Sequence, residues 1–82
     1  AMNIIILNLS RKTTAQELTE LFKVHGEVES CDIVMDKDSG ESKGFGFIKM
    51  LSDDAAQAAI KNLHGQKVDG RKIKVKVSNK TK

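Results

Sequence analysis

Phe45 and Phe47 stand two residues apart in the run Lys43-Gly44-Phe45-Gly46-Phe47-Ile48-Lys49-Met50. In a β-strand, successive side chains point to opposite faces. One face of this run would carry Lys43, Phe45, Phe47 and Lys49; the other would carry Gly44, Gly46, Ile48 and Met50. Rings flanked by ammonium groups suit a flat, anionic ligand, because rings stack on planar groups and ammonium groups meet anions. The remaining chemical candidates are weaker. Gly44-Phe45-Gly46 lacks the third glycine of a dinucleotide loop, and no helix follows it directly. Asp36, Asp38 and Gly40 look like a fragment of a calcium loop without its ligand series or closing glutamate. His25 and His64 each precede a glycine at the close of a helical pattern, which reads as a helix end and not as a metal pair. Cys31 has no CxxC partner and is expected to face the core.

The elements that must hold these residues follow from periodicity. NIIILN at residues 3–8 is a short β-branched run, expected as a buried central strand. Thr14 followed by Glu17 fits a helix N-cap with its reciprocal partner. Leu18, Leu21, Phe22 and His25 then share a helical stripe. His25-Gly26 is expected to end that helix, with Gly26 turning left-handed. Val28–Met35 is the second strand, residues 36–41 a polar turn, and residues 43–50 the third strand. Ser52 caps a second helix, with Asp53 and Asp54 in its first turn, where acids favour the dipole. Ala56, Ala59, Ile60 and Leu63 form its apolar stripe, and His64-Gly65 stops it. Asp69-Gly70 marks a tight turn. Residues 71–78 alternate as a last strand, with Ile73, Val75 and Val77 on one side and Lys72, Lys74 and Lys76 on the other. The order β-α-β-β-α-β is the α+β, ferredoxin-like plan. Its right-handed crossovers put both helices on one face of a four-stranded antiparallel sheet and leave the other face bare.

The bare face decides which way the phenylalanines point. With Phe45 and Phe47 toward the helices, Lys43 and Lys49 would be drawn toward the core, and an unpaired buried ammonium costs several kcal/mol. The reverse orientation buries Ile48 and Met50 and lets Gly44 and Gly46 admit close helix packing. It leaves two rings exposed, forgoing roughly 1.5–3 kcal/mol of burial each. That is the smaller cost, so the rings are expected on the bare face, with Lys72, Lys74 and Lys76 beside them. Rings beside a basic track are what single-stranded nucleic acid binds.

Charge distribution points the same way. The net charge is +3 over 82 residues, 39% of them apolar and 30% charged, which suits one small globular domain. Residues 71–82 hold six basic groups and no acid, whereas the other 70 residues hold 8 basic and 11 acidic groups. A basic end on a slightly acidic body suits a polyanion partner. No apolar run reaches the roughly 18–20 residues of a membrane helix. The opening IIIL is too short for a secretory signal and has no basic leader. One cysteine, Cys31, suits a reducing compartment, so the expected location is cytoplasmic, with the nucleus left open.

With the order of elements in place, residues 43–50 resemble the octamer of the RNA recognition motif family, K/R-G-F/Y-G/A-F-V-x-F/Y. They match seven of its eight positions if Ile48 is allowed for valine. Ile4-Ile5-Ile6-Leu7-Asn8-Leu9 is similar to the family's hexamer, apolar-aromatic-apolar-x-Asn-Leu. The resemblance implies a domain over residues 2–79 followed by a basic tail at 80–82. It implies that Phe47 stacks under a base, Phe45 wedges against riboses, and Lys43 pairs with a phosphate, with Lys49 on the same face. Asn3, Ser30, Asp32 and Val34 match outward positions of the flanking strands, where the family touches base edges. Lys72, Lys74 and Lys76 match outward positions of the last strand, and Ser78 and Asn79 the stretch beyond it. Ile5 stands where the family usually has an aromatic residue, which implies affinity on the order of micromolar.

The expected function is therefore non-catalytic binding of single-stranded RNA, in post-transcriptional regulation or RNA chaperoning, by a monomer without cofactor, metal or membrane. Single-stranded DNA stays open as a competitor. Two alternatives come from other classes. One is a protein–protein interaction module on the same fold, which the loss of the aromatic at Ile5 permits. The other is a small enzyme such as an acylphosphatase, against which the loop LSRKTT offers Arg11 but no glycine-rich anion cradle.

Overall fold

Alternating burial along Met2–Leu7 makes the first strand, β1, the hinge of the architecture: Ile4 and Ile6 are fully buried, whereas Asn3, Ile5 and Leu7 are half-buried on the opposite side. A computed structural model describes residues 2–40 and 42–78, and the side chains of Ser42 and Lys43 lie outside that description. After β1 come α1 (Ala15–Lys23), β2 (Val28–Met35), β3 (Ser42–Met50) and α2 (Asp53–Leu63), then β4 (Lys67–Val68), β5 (Arg71–Lys72) and β6 (Lys74–Val77). The main sheet has the order β2-β3-β1-β6, and its neighbouring strands are antiparallel. Both helices lie on one face of it: α1 packs on β2, and α2 on β1, β3 and β6. The expected α+β, ferredoxin-like architecture is the one observed.

The core is built from both layers. Ile4, Ile6, Ile48, Met50, Ile73 and Val75 from the sheet side meet Leu18 and Phe22 of α1 and Ala56, Ala59 and Leu63 of α2. The two helices start where the caps predict. Thr14 Oγ1 accepts from the Glu17 N–H at 3.2 Å, and Glu17 Oε1 accepts from the Thr14 N–H at 3.2 Å. Ser52 Oγ accepts from the Ala55 N–H at 3.3 Å. Each cap satisfies an otherwise orphaned donor and contributes about 1 kcal/mol.

The first helix ends differently from expectation. Its last residue is Lys23 and its C-cap Val24, still right-handed at φ −60°. Gly26 has no positive φ. Its lack of a side chain serves packing instead, because a Cβ there would overlap the Ala55 methyl of α2. Gly65, with φ +83°, does take the left-handed turn expected after α2. His64 is not spent on the helix end alone. Its Nδ1 accepts from the Val75 N–H at 3.1 Å and ties the end of α2 to β6.

The single last strand expected at 71–78 is two. Arg71 and Lys72 pair with Val68 and Lys67 in a separate hairpin, and only Lys74–Val77 pairs with β1. Ile73 breaks the ladder because its backbone is used elsewhere: it donates to Gln66 O at 2.9 Å and accepts from the Gly65 N–H at 2.8 Å. Val77, expected on the core side, is 47% exposed. It ends an edge strand, with a strand neighbour on one side only. The hairpin is held at two points. Asn8, left-handed at φ 62°, donates from Nδ2 to Lys72 O at 2.7 Å and accepts from Arg71 Nη2 at 2.7 Å. The buried Thr13 hydroxyl donates to Asp69 Oδ2 at 2.7 Å.

Candidate functional site

Strand register converts scattered residues into rows on the face away from the helices. Asp32 of β2 faces Phe47 of β3, which faces Ile5 of β1, which faces Lys76 of β6. One step along, Phe45 faces Leu7, and Leu7 faces Lys74. On the other flank Ser30 faces Lys49, and Lys49 faces Asn3. The Ser78 N–H donates to Asn3 O at 2.7 Å and extends that row past the end of β6. Directly paired side chains in such rows are about 4.5–5.5 Å apart at Cβ, so each row is one contact surface.

Both phenylalanines lie outside the buried cluster that contains Ile48 and Met50, as the alternation of β3 requires. Phe47 is 39% exposed, and its ring meets Phe45 edge to face, with centroids 6.1 Å apart and planes at 86°. Such a pair contributes about 0.5–1.5 kcal/mol beyond area, which offsets part of the burial the rings forgo.

The glycines of β3 act differently from expectation. A Cβ on Gly46 would lie 2.7 Å from Asp32 O and 3.2 Å from Ile33 Cα, and one on Gly44 would lie 3.4 Å from Leu9 O. Neither glycine makes room for a helix. Gly46 lets the backbone of β2 close on β3 between the two rings, and Gly44, at φ +88°, turns the chain where its carbonyl accepts from the Leu9 N–H at 2.8 Å.

Charge is sorted across the face. Lys74 and Lys76 are exposed on the β6 edge, whereas Asp32 and Glu29 are exposed on the β2 edge. Lys49 shares its ammonium with Glu29 at 3.8 Å, with both side chains more than 40% exposed. An ion pair that open is worth at most about 1 kcal/mol, so an incoming anion can replace it. Between these edges lies a shallow depression of about 250 Å3, lined by Asn3, Ser30, Asp32, Phe47, Lys49 and Ser78.

The remaining expected positions divide. Val34 is half-buried on β2, past Asp32, where the pairing with β3 shifts register. Lys72 sits in the hairpin and not in the main sheet. The Lys43 side chain, Asn79 and the 80–82 tail lie outside the described residues. The sequence alone does not mark Leu7 as part of the face, yet it shares the row of Phe45 and Lys74. The alternation Ile5, Leu7 is its signal, masked by an apolar run in which every residue looks like core.

Cys31 faces the helical side, as expected: its Sγ lies 3.5 Å from Ala15 O, and burial pushes the thiol up from its ordinary pKa, with the Thr19 side chain opposing and the Asp32 charge assisting. A thiol held neutral in this way is a poor nucleophile. Among the described residues no group of three His, Cys, Asp or Glu side chains is arranged to hold a metal. No helix of the described residues is long and apolar enough to cross a membrane.

Comparison with known proteins bears on this face. The family model described as RNA recognition motif matches residues 4–74. The chain is 41% identical over 80 residues to small ribosomal subunit protein cS22 of Arabidopsis thaliana, covering 98% of this chain and 32% of that protein. It is 45% identical over 73 residues to small RNA-binding protein 11, chloroplastic, of the same plant, covering 89% of this chain and 50% of the relative. The chain thus spans half or less of the length of these relatives. Among solved structures, the crystal structure of RNA binding protein PG1 superposes with a TM-score of 0.94 at 35% identity, covering 100% of this chain and 99% of the other.

Proposed function

The chain belongs to the RNA recognition motif family, and from that premise we propose that it binds single-stranded RNA, without catalysis, across the bare face of β2-β3-β1-β6. The observation that carries the reading is Phe47. It is an exposed ring on the face opposite the core, in T-shaped contact with Phe45 and beside a depression that Asn3, Ser30, Asp32, Lys49 and Ser78 also line. Leaving such a ring in water gains the fold little, and its π face suits a base.

In this reading one base stacks on Phe47, a second covers Ile5, and Phe45 meets the riboses. Lys43, Lys74 and Lys76 meet phosphates, with Lys72 extending the track from the hairpin. Asn3, Ser30, Asp32, Lys49, Ser78 and Asn79 face base edges, and Val34 covers the β2 end of the surface. Residues 2–79 form the binding domain and residues 80–82 a basic tail. With an aliphatic residue at position 5, affinity is on the order of micromolar. The cellular role is post-transcriptional regulation or RNA chaperoning, carried out by a monomer inside the cell, in the cytoplasm or the nucleus. Single-stranded DNA binds through the same stacking, because its bases present the same π faces.

Phe47→Ala is the direct test. It removes one stack and should cost about 1–3 kcal/mol of RNA affinity. The amide spectrum should stay native, since Phe47 lies outside the buried cluster. A variant that unfolds, or that binds RNA as tightly as the parent, would falsify the platform.

A second reading, a protein partner on the helical side, has its own observation. Val24 is 81% exposed and lies with Leu21 and Val68 in a groove rimmed by Glu17, Glu20, Lys67 and Asp69. Amide shifts confined to α1 and β4 on adding a basic peptide, with none on β3, would favour it.

A further inference from the structure

We infer that Asp32 selects guanine for the base stacked on Phe47. The inference rests on the reading of the sheet face as an RNA platform and adds which base it prefers. Asp32 is paired directly with Phe47 across the β2–β3 ladder, and its side chain lines the depression beside that ring. No ion pair engages it among the described residues, whereas the neighbouring acid, Glu29, is held by Lys49. An exposed carboxylate next to a stacking ring repels phosphate, so the strand cannot run its backbone along the β2 edge. Lys74 and Lys76 attract the backbone to the β6 edge instead. With its ribose against Phe45, a base stacked on Phe47 points its hydrogen-bonding edge along β3 toward Lys49, with Asp32 of β2 at its flank.

The chemistry of that edge chooses the base. An ionised carboxylate only accepts, through two oxygens side by side. Guanine alone offers two adjacent donors there, N1–H and the N2 amino group. Adenine and cytosine offer one amino group beside an acceptor nitrogen, and uracil one N–H between two carbonyls. The next group along β3 on the same face is Lys49, whose ammonium only donates. Two residues of strand place it roughly 6–7 Å along from Phe47, toward the end of guanine far from its ribose, which carries O6. Acceptor followed by donor complements guanine's donor followed by acceptor. It places a carbonyl of uracil, or the ring nitrogen acceptor of adenine or cytosine, against the carboxylate, and a mismatched polar group loses its water without compensation.

The test uses five-nucleotide RNAs of uridine with guanine, inosine, adenine, cytosine or uracil at the centre, titrated against the full chain, Asp32→Asn and Phe47→Ala. The parent should bind the guanine oligonucleotide at least about fivefold more tightly than the others, as a bidentate base contact provides. Inosine, which lacks the N2 amino group, should fall in between. Asp32→Asn keeps the size of the side chain but replaces one acceptor with a donor. It should weaken guanine binding, strengthen uracil binding by removing the charge, and bring the two within about twofold. Equal binding of all five RNAs by the parent, or a guanine preference that survives in Asp32→Asn, overturns the role of Asp32. Phe47→Ala separates this failure from that of the platform. If it weakens all five RNAs, the platform stands whatever Asp32 does; if it weakens none, the platform falls and the inference with it.

Discussion

Replacing Lys74 and Lys76 together with glutamine tests whether the β6 edge carries the RNA backbone. Each lysine lies on the platform, one opposite Leu7 and one opposite Ile5. Each phosphate contact to a single strand contributes about 0.7 to the slope of log K against log salt, because the contact releases a condensed counterion. Losing two contacts should make the slope shallower by about 1.4. Between 50 and 200 mM salt the parent should therefore lose roughly sevenfold more affinity than the double variant. Fluorescence anisotropy with a uridine oligonucleotide at four salt concentrations measures both slopes. The control is Lys23→Gln with Lys61→Gln, in the last turns of α1 and α2 on the other side of the sheet. Those ammonium groups lie about 10 Å, one packed layer, from the open face, so they contact no phosphate bound there and release no counterion from it. The control slope should stay at the parental value. A slope unchanged in the Lys74/Lys76 variant, or lowered equally by the helix lysines, would show that the affinity follows overall charge and not a backbone track.

Two further substitutions probe the platform and its support. Ile5→Phe puts a third ring beside Phe47 at a half-buried position of the open face. It should tighten RNA binding by about 1–3 kcal/mol, read in the same titration, without changing the urea midpoint by more than a few tenths molar. Gly46→Ala should destabilise the fold by about 1–3 kcal/mol in urea unfolding. Its methyl would lie 2.7 Å from Asp32 O, and that backbone oxygen can yield only if β2 moves away from β3. RNA affinity should fall as well, since the row of Asp32 and Phe47 would widen; a fully stable variant would refute the tight approach of the two strands.

Much of this face is legible in the chain itself because its cause is local. The two-residue period of residues 43–50 puts Phe45 and Phe47 on the side opposite Ile48 and Met50 whatever else the chain does. The capping box of Thr14 and Glu17 and the cap at Ser52 are likewise contacts within four residues. The errors fall where a residue answers to a distant partner. Gly26 reads as a helix stop, but its position is governed by Ala55. Gly46 reads as room for a helix, but it is room for β2. Ile73 reads as the middle of a strand, but its backbone is bonded by Gly65 and Gln66.

The amino-acid order alone determined the order of elements from β1 to α2, the two helix starts and the faces of β3, since backbone alternation and capping need no partner beyond a few residues. Only the folded sheet decided that Asp32, Phe47, Ile5 and Lys76 form one row, with acid at the β2 edge and base at the β6 edge. That sorting depends on strand order and register, which are set by hydrogen bonds and core contacts between segments far apart in the chain.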